Sequence, residues 1–198
     1  MKINIIDSAP SDDTLPEHLG GHLNKTHVDE GALDFLIENF DIATMLDIGC
    51  GPGGMLDLAR DRGIHSVGLD GDYTLPRRRN VHIHDFTTGP FLNWENDDIE
   101  FDLGWSVEFL EHVESKHVPA IMHAFQRCKY LMVTAAPPGY TGHHHVNCRS
   151  LDYWEGAFNA SGFYYDADMT AKIKDASSMK KPFLQMNGMF YRRFHYDN

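Results

Sequence analysis

Met45-Leu-Asp-Ile-Gly-Cys-Gly-Pro-Gly-Gly54 decides how the rest of the chain is read. An apolar, strand-like approach, Ala43 to Ile48, runs into four glycines, and Met55 to Arg60 then reads as a helix. A strand that turns this tightly into a helix needs residues free of Cβ clashes. Glycine also lets a ligand lie against backbone amides at the positive end of the helix. The turn therefore predicts a nucleotide-type pocket, and two ligands fit it differently. Gly49, Gly51 and Gly54 satisfy G-x-G-x-x-G, with Asp70 at the spacing of a ribose-binding acid in a dinucleotide site. Asp47, two residues before the first glycine, would repel a pyrophosphate. It suits a cationic ligand with a free amino group.

S-adenosylmethionine is such a ligand, with a sulfonium, an α-amino group and no phosphate. The run Asp47-Ile-Gly-Cys-Gly-Pro-Gly53 resembles motif I of the class I S-adenosylmethionine-dependent methyltransferases. The resemblance spans roughly residues 44 to 194, with the motifs in the right order. It implies an α/β fold: a doubly wound, mostly parallel seven-stranded sheet with an antiparallel C-terminal hairpin and helices on both faces. The expected organisation is an N-terminal arm over residues 1–20 and a methyltransferase domain over residues 21–198. Carried onto this sequence, the cofactor-binding set is Asp47, Gly49, Cys50, Gly51, Pro52 and Gly53 at the turn, with four residues beyond it. Asp70 ends a second strand, His65 to Asp70, and is placed to accept both ribose hydroxyls. Asp72 and Tyr73 follow as flanks of the adenine. Asp85 and Phe86 end a third strand from Val81, the acid meeting the adenine amino group and the ring packing on the base. Ser106 closes Phe101-Asp-Leu-Gly-Trp-Ser106, which looks like motif IV, where acceptor meets sulfonium.

Composition narrows the partners. The 198 residues suffice for one domain with a full core. A formal net charge of −12 argues against gripping long nucleic acids through their phosphates. Arg77-Arg78-Arg79 and Arg192-Arg193 are too short for a binding stripe and read as solvated faces. Cys50, Cys128 and Cys148 have neither metal-ligand nor disulfide-framework spacing, which suits a reducing interior. The N-terminus lacks an apolar signal segment and no run approaches membrane-spanning length, so a cytoplasmic protein without membrane contact is expected. The sequence is silent on oligomeric state.

Leu33, Leu36, Ile37 and Phe40 recur at helical spacing, so residues 20–40 read as a loop leading into an amphipathic helix. His22, Lys25, Thr26 and His27 sit either at the mouth of the cofactor pocket or as ordinary helix-entry residues, with Thr26 or Asp29 as the cap. His82 and His84 share one strand face, read as partly exposed rather than as a metal pair. Residues 91–100 read as an acidic surface crossover and Tyr130 to Ala136 as a fifth strand. Leu151 to Gly162 reads as a helix, Phe163–Tyr165 and Met189–Arg193 as the last two strands, and residues 172–185 as a flexible lid or substrate loop.

Two further groups carry chemistry. Glu108, Glu111 and His112 follow the motif IV strand at i, i+3 and i+4, one face if helical. Two carboxylates and an imidazole there could hold a divalent metal ion. The E-x-x-E-H pattern is similar to one in metal-assisted O-methyltransferases of small-RNA 2′-hydroxyls and of ubiquinone-pathway phenols. An acid and a His also organise this loop in methyltransferases that need no metal. His143-His-His145 lies in a Pro/Gly loop after the fifth strand, on the ligand side of such a sheet. His143 and His145 are read as the active pair, either as base or as metal ligands, with His144 outward. The expected activity is methyl transfer from S-adenosylmethionine to an oxygen of a small-molecule acceptor, with Glu111, His112, His143 and His145 catalytic. The alternatives are an RNA-end 2′-O-methyltransferase, an NAD-dependent oxidoreductase and a non-catalytic S-adenosylmethionine-binding protein.

Overall fold

The apolar runs of the sequence become the strands of one sheet. The computed structural model describes residues 15–94 and 98–194. Five strands, β1 (Thr44–Ile48), β2 (His65–Asp70), β3 (Val81–Ile83), β4 (Phe101–Ser106) and β5 (Cys128–Thr134), lie parallel. Next come β6 (Phe163–Tyr165) and β7 (Gly188–Arg193), with β7 antiparallel to both β5 and β6. The spatial order is β3-β2-β1-β4-β5-β7-β6. Every residue of β4 is buried, as expected of a parallel strand covered on both faces.

Among the described residues six α-helices cover the sheet: α1 (Glu30–Asn39), α2 (Gly54–Asp61), α3 (Val118–Phe125), α4 (Leu151–Ala160), α5 (Ala167–Ala176) and α6 (Phe183–Asn187). Alternation along β1 separates two cores. Met45 packs with Leu33, Leu36, Leu56 and Ile173, placing α1, α2 and α5 on one face. Leu46 and Ile48 pack with Phe125, Trp154 and Phe158, placing α3 and α4 on the other. No helix among the described residues is long and apolar enough to cross a membrane.

Three local expectations change. The third strand stops at Ile83 because Asp85 turns to cap a 3-10 turn at Phe86–Thr88. Residues 107–112 form no α-helix: Glu108 adopts a left-handed φ of 56° and only Leu110–His112 make a 3-10 turn. The segment 172–185 is largely helix rather than a loose lid. Buried Thr170 and Ile173 dock α5 on the core, and Asp29 accepts the backbone N–H of Ser178 at 2.9 Å while capping α1 through Ala32 N–H. The expected N-terminal arm lies outside the described residues as far as residue 14, as do residues 95–97 of the acidic crossover.

The strand order reverses between β2-β1 and β4-β5, so the crossover helices after β1 and β4 leave on opposite faces. A crevice opens at the carboxyl ends of those two strands, the place where open α/β sheets bind ligands.

Candidate active site

The glycine turn forms the floor of that crevice. Gly49, Gly51 and Gly53 have φ of 76°, 51° and 86°, a region that side-chain-bearing residues avoid. A Cβ on Gly49 would also stand 2.5 Å from the Phe109 ring. Gly53 ends the turn as the cap of α2, whose first amide, Gly54 N–H, is held by Thr26 Oγ1 at 3.0 Å. Thr26 is thus a brace between loop and helix, while Asp29 is the cap of α1. Asp47, Gly49, Cys50 and Gly51 line one small chamber with His22, Lys25, Trp105 and Val107. Asp47 is 3 % exposed, and burial, aided by the nearby Asp70 charge, pushes its carboxyl up to about 8. A buried neutral acid at this point is poised to ionise when a cation arrives.

Asp70 accepts Gly51 N–H at 2.7 Å and Asp72 N–H at 2.9 Å, tying the end of β2 to the glycine loop. Asp85 accepts Thr87 N–H at 2.8 Å and lies 2.9 Å from His18 Nε2. Phe86 and Phe109 wall a second chamber with Leu19, Gly71, Asp85 and His112. Ser106 does not face either chamber; its hydroxyl donates to the Ile48 carbonyl at 2.8 Å and locks β4 to the end of β1. Pro52 faces outward from the turn, its carbonyl accepting Arg78 Nη1 at 2.9 Å. Arg78 also pairs with Asp57, so the middle arginine of the basic cluster braces the loop rather than sitting in solvent. Residues 17–22 cross over the cleft. Leu19 packs on Gly71, His22 packs on Gly51, and His22 Nε2 lies 3.1 Å from Asp72 Oδ2 without lining up as a hydrogen bond. The free space left in the two chambers is small, about 50 Å³ and 30 Å³.

Beside the second chamber, Glu111, His112 and His145 each offer a ligand atom, all within 4.8 Å of one another. Glu111 is fully buried, and neither carboxylate oxygen lines up a hydrogen bond among the described residues, though its own amide and that of Ala136 lie close enough to favour the charged form. Burial, then the neighbouring Glu108, pushes it up to about 8. Burial, then His145, pushes His112 down to about 4, leaving the imidazole neutral. A buried carboxylate beside two imidazoles is a donor set that could hold a divalent cation. Glu108 stands apart from that trio: its carboxylate accepts Thr134 Oγ1–H at 3.0 Å. His143 adds no ligand atom to the trio but adjoins it: its backbone bonds the His112 ring, and its own Nε2 meets the Glu17 carbonyl at 2.7 Å. A carbonyl only accepts, so this nitrogen carries the proton and Nδ1 has the free lone pair. His144 is at φ 46°, near His18. His82 and His84 pack on Phe91, and His84 Nε2 meets the Gly89 carbonyl, so neither joins a metal site.

The sequence reading missed several residues here. Trp105 and Phe109 shape the chambers, Thr134 holds Glu108, and Cys148 Sγ stands 3.7 Å from His145 Nδ1. Thr134 had a signal, being a polar residue at the carboxyl end of an apolar strand. His18 and Cys148 had none, because their partners lie far away in sequence.

Residues 24–167 match the family described as "Methyltransferase domain". No curated protein sequence matches the chain. Among solved structures, a S-adenosylmethionine-dependent methyltransferase from Archaeoglobus fulgidus is similar at 21 % identity and TM-score 0.52, over 68 % of this chain and 67 % of that one. Magnesium protoporphyrin IX methyltransferase from Synechocystis PCC 6803 with bound S-adenosylhomocysteine is similar at 14 % identity and TM-score 0.56, over 82 % and 80 %. The methyltransferase domain of bacterial CtHen1 is similar at 14 % identity and TM-score 0.53, over 83 % and 97 %.

Proposed function

We propose, from the premise that the chain belongs to the methyltransferase-domain family, that this S-adenosylmethionine-dependent enzyme methylates a hydroxyl oxygen of a small-molecule acceptor beside a divalent ion. The observation that carries this reading is the buried Glu111 carboxylate against His112 and His145. Those three residues would hold the ion. When bound, such an ion polarises an acceptor hydroxyl and lowers its pKa.

The chain's own residues supply binding and proton transfer. Asp47 receives the cofactor's α-ammonium and ionises as it does so. Asp70 takes the ribose hydroxyls, and Asp85 with Phe86 takes the adenine once His18 gives way. The acceptor oxygen attacks the methyl carbon as the C–S bond breaks, its electron pair going to sulfur and S-adenosylhomocysteine leaving. The hydroxyl proton passes to His143 Nδ1, the lone pair oriented by the Glu17 contact. A net charge of −12 supports a small acceptor over a long nucleic acid.

The test is calorimetric titration of chelator-stripped protein with S-adenosylhomocysteine, NADH and Mn²⁺, followed by transfer of a labelled methyl group to a catechol. Micromolar S-adenosylhomocysteine binding with no NADH binding is expected. Glu111→Gln and His145→Ala should lose Mn²⁺ binding and at least about 100-fold in rate while keeping cofactor affinity. Transfer indifferent to chelator and to both substitutions would remove the ion from the reading. Label entering only RNA ends would select the small-RNA alternative, and cofactor binding without transfer to any acceptor would leave a binding protein.

A further inference from the structure

Among the clefts outside the cofactor crevice and the Glu111 trio, one of about 320 Å³ lies at the carboxyl end of β5. Its walls come from the end of β5 and the following loop (Ala135, Pro137), from α4 (Trp154), from β6 (Tyr165) and from the α5–α6 roof (Lys174, Met186). Arg149 closes the side towards the active site. The lining holds two cations and no carboxylate, in a protein of net charge −12. Burial lowers the pKa of Lys174, and Nζ is steered by one hydrogen bond to the Met186 carbonyl at 3.0 Å.

Arg149 is held with more definition. Its Nε donates to Asn147 Oδ1 and its Nη2 to Ser115 Oγ, both at 3.0 Å, and its guanidinium lies 5.2 Å from the Tyr153 ring centre. Nη1 makes no hydrogen bond among the described residues. Asn147 N–H in turn donates to the Glu111 carbonyl at 3.0 Å. One residue therefore links this cation to the backbone of the candidate catalytic trio. Thr134, the buried residue just before Ala135 of the cleft wall, bonds Glu108. A flat ring against Tyr165 and the exposed, adaptable Met186, over the edge of the buried Trp154, would place its anionic group on Arg149 and Lys174.

We propose that this cleft is the acceptor site and that it selects a planar aromatic acceptor bearing a carboxylate, with Arg149 and Lys174 as the specificity-determining residues. The inference rests on the methyltransferase reading and names its substrate class. The test uses 3,4-dihydroxybenzoate and catechol, which share the ring and hydroxyls and differ in the carboxylate. Both are titrated into the S-adenosylhomocysteine-loaded protein by calorimetry. The acid should bind at least about 10-fold more tightly than catechol, and Lys174→Gln and Arg149→Gln should each shrink that preference to about 3-fold or less. Arg149→Lys, which keeps the charge, should restore part of it. In turnover the substitutions should raise KM for the acid by a larger factor than they lower kcat. Equal binding of the two compounds, binding of neither, or a preference that survives both substitutions overturns the proposal. S-adenosylhomocysteine affinity, measured first, separates this failure from failure of the methyltransferase reading itself.

Discussion

Asp47 shows how one side chain can set a ligand's charge. The acid lies inside an apolar strand, so desolvation raises its pKa to about 8, far above the ~3.9 of an unfolded Asp. At pH 7 it is protonated in the ligand-free protein. A bound ammonium favours the carboxylate, so cofactor binding should release close to one proton at pH 7 and tighten as pH rises towards 8. Calorimetry in two buffers of different ionisation enthalpy reads that proton directly. Asp47→Asn should abolish the release and weaken binding by about 10- to 100-fold. The stability consequence has the opposite sign. A folded pKa above the unfolded one gives stability that is complete below about pH 4 and is lost as pH climbs through about 8. The apo wild type should therefore lose Tm between pH 5 and 8 relative to Asp47→Asn. Superimposable melting profiles would show that Asp47 titrates normally.

Among the elements, α1 and α5 matter for how the chain closes around the cofactor crevice. Asp29 caps α1 through Ala32 N–H and reaches Ser177 and Ser178 just beyond α5. Residues distant in sequence are thereby fastened, and the start of the stretch between α5 and α6 is tied to α1. Asp29→Ala should cost about 2 kcal/mol, roughly 4–8 °C in Tm for a domain of this size, because a helix cap and two cross-chain hydrogen bonds go together. Residues 17–22 form the other closing element. They contact Asp85, Gly71, Gly51 and Asp72 along the cleft, and the space beneath them is too small for a nucleoside. A ligand can enter or leave only if this segment lifts. The double substitution His18→Ala/His22→Ala should raise the association rate of S-adenosylhomocysteine by about 3- to 10-fold in stopped-flow and lower Kd to match, because no histidine contact then has to give way. Unchanged rates would mean that the histidines do not hold the segment down.

At the level of the whole molecule, topology places chemistry that local pattern leaves scattered. The order β3-β2-β1-β4-β5-β7-β6 brings the ends of β1, β2, β4 and β5 to one edge. Asp47, Asp70, Ser106 and Thr134, each at or near a strand's carboxyl end, then gather along it. The negative surface and the locally cationic cleft lined by Arg149 and Lys174 divide the molecule electrostatically, which favours a small anion finding that cleft over a polyanion wrapping the body.

The sequence by itself determined the fold and the glycine turn after β1. Both rest on short-range rules: apolar runs of strand length, glycines where φ must be positive, and acids at strand ends. The strands β1, β2, β6 and β7 stand within a residue or two of where their patterns put them. Only the tertiary structure decided which histidines meet which acids. Helical spacing put Glu108 with Glu111 and His112, but Glu108 enters a left-handed turn and bonds Thr134 across to β5. His145 takes its place from a loop some thirty residues on, brought there by the Val146 and Asn147 amides donating to the Glu111 carbonyl. Contacts of that kind depend on how a loop folds back over the sheet. Local periodicity, which reports one element at a time, carries no information about them.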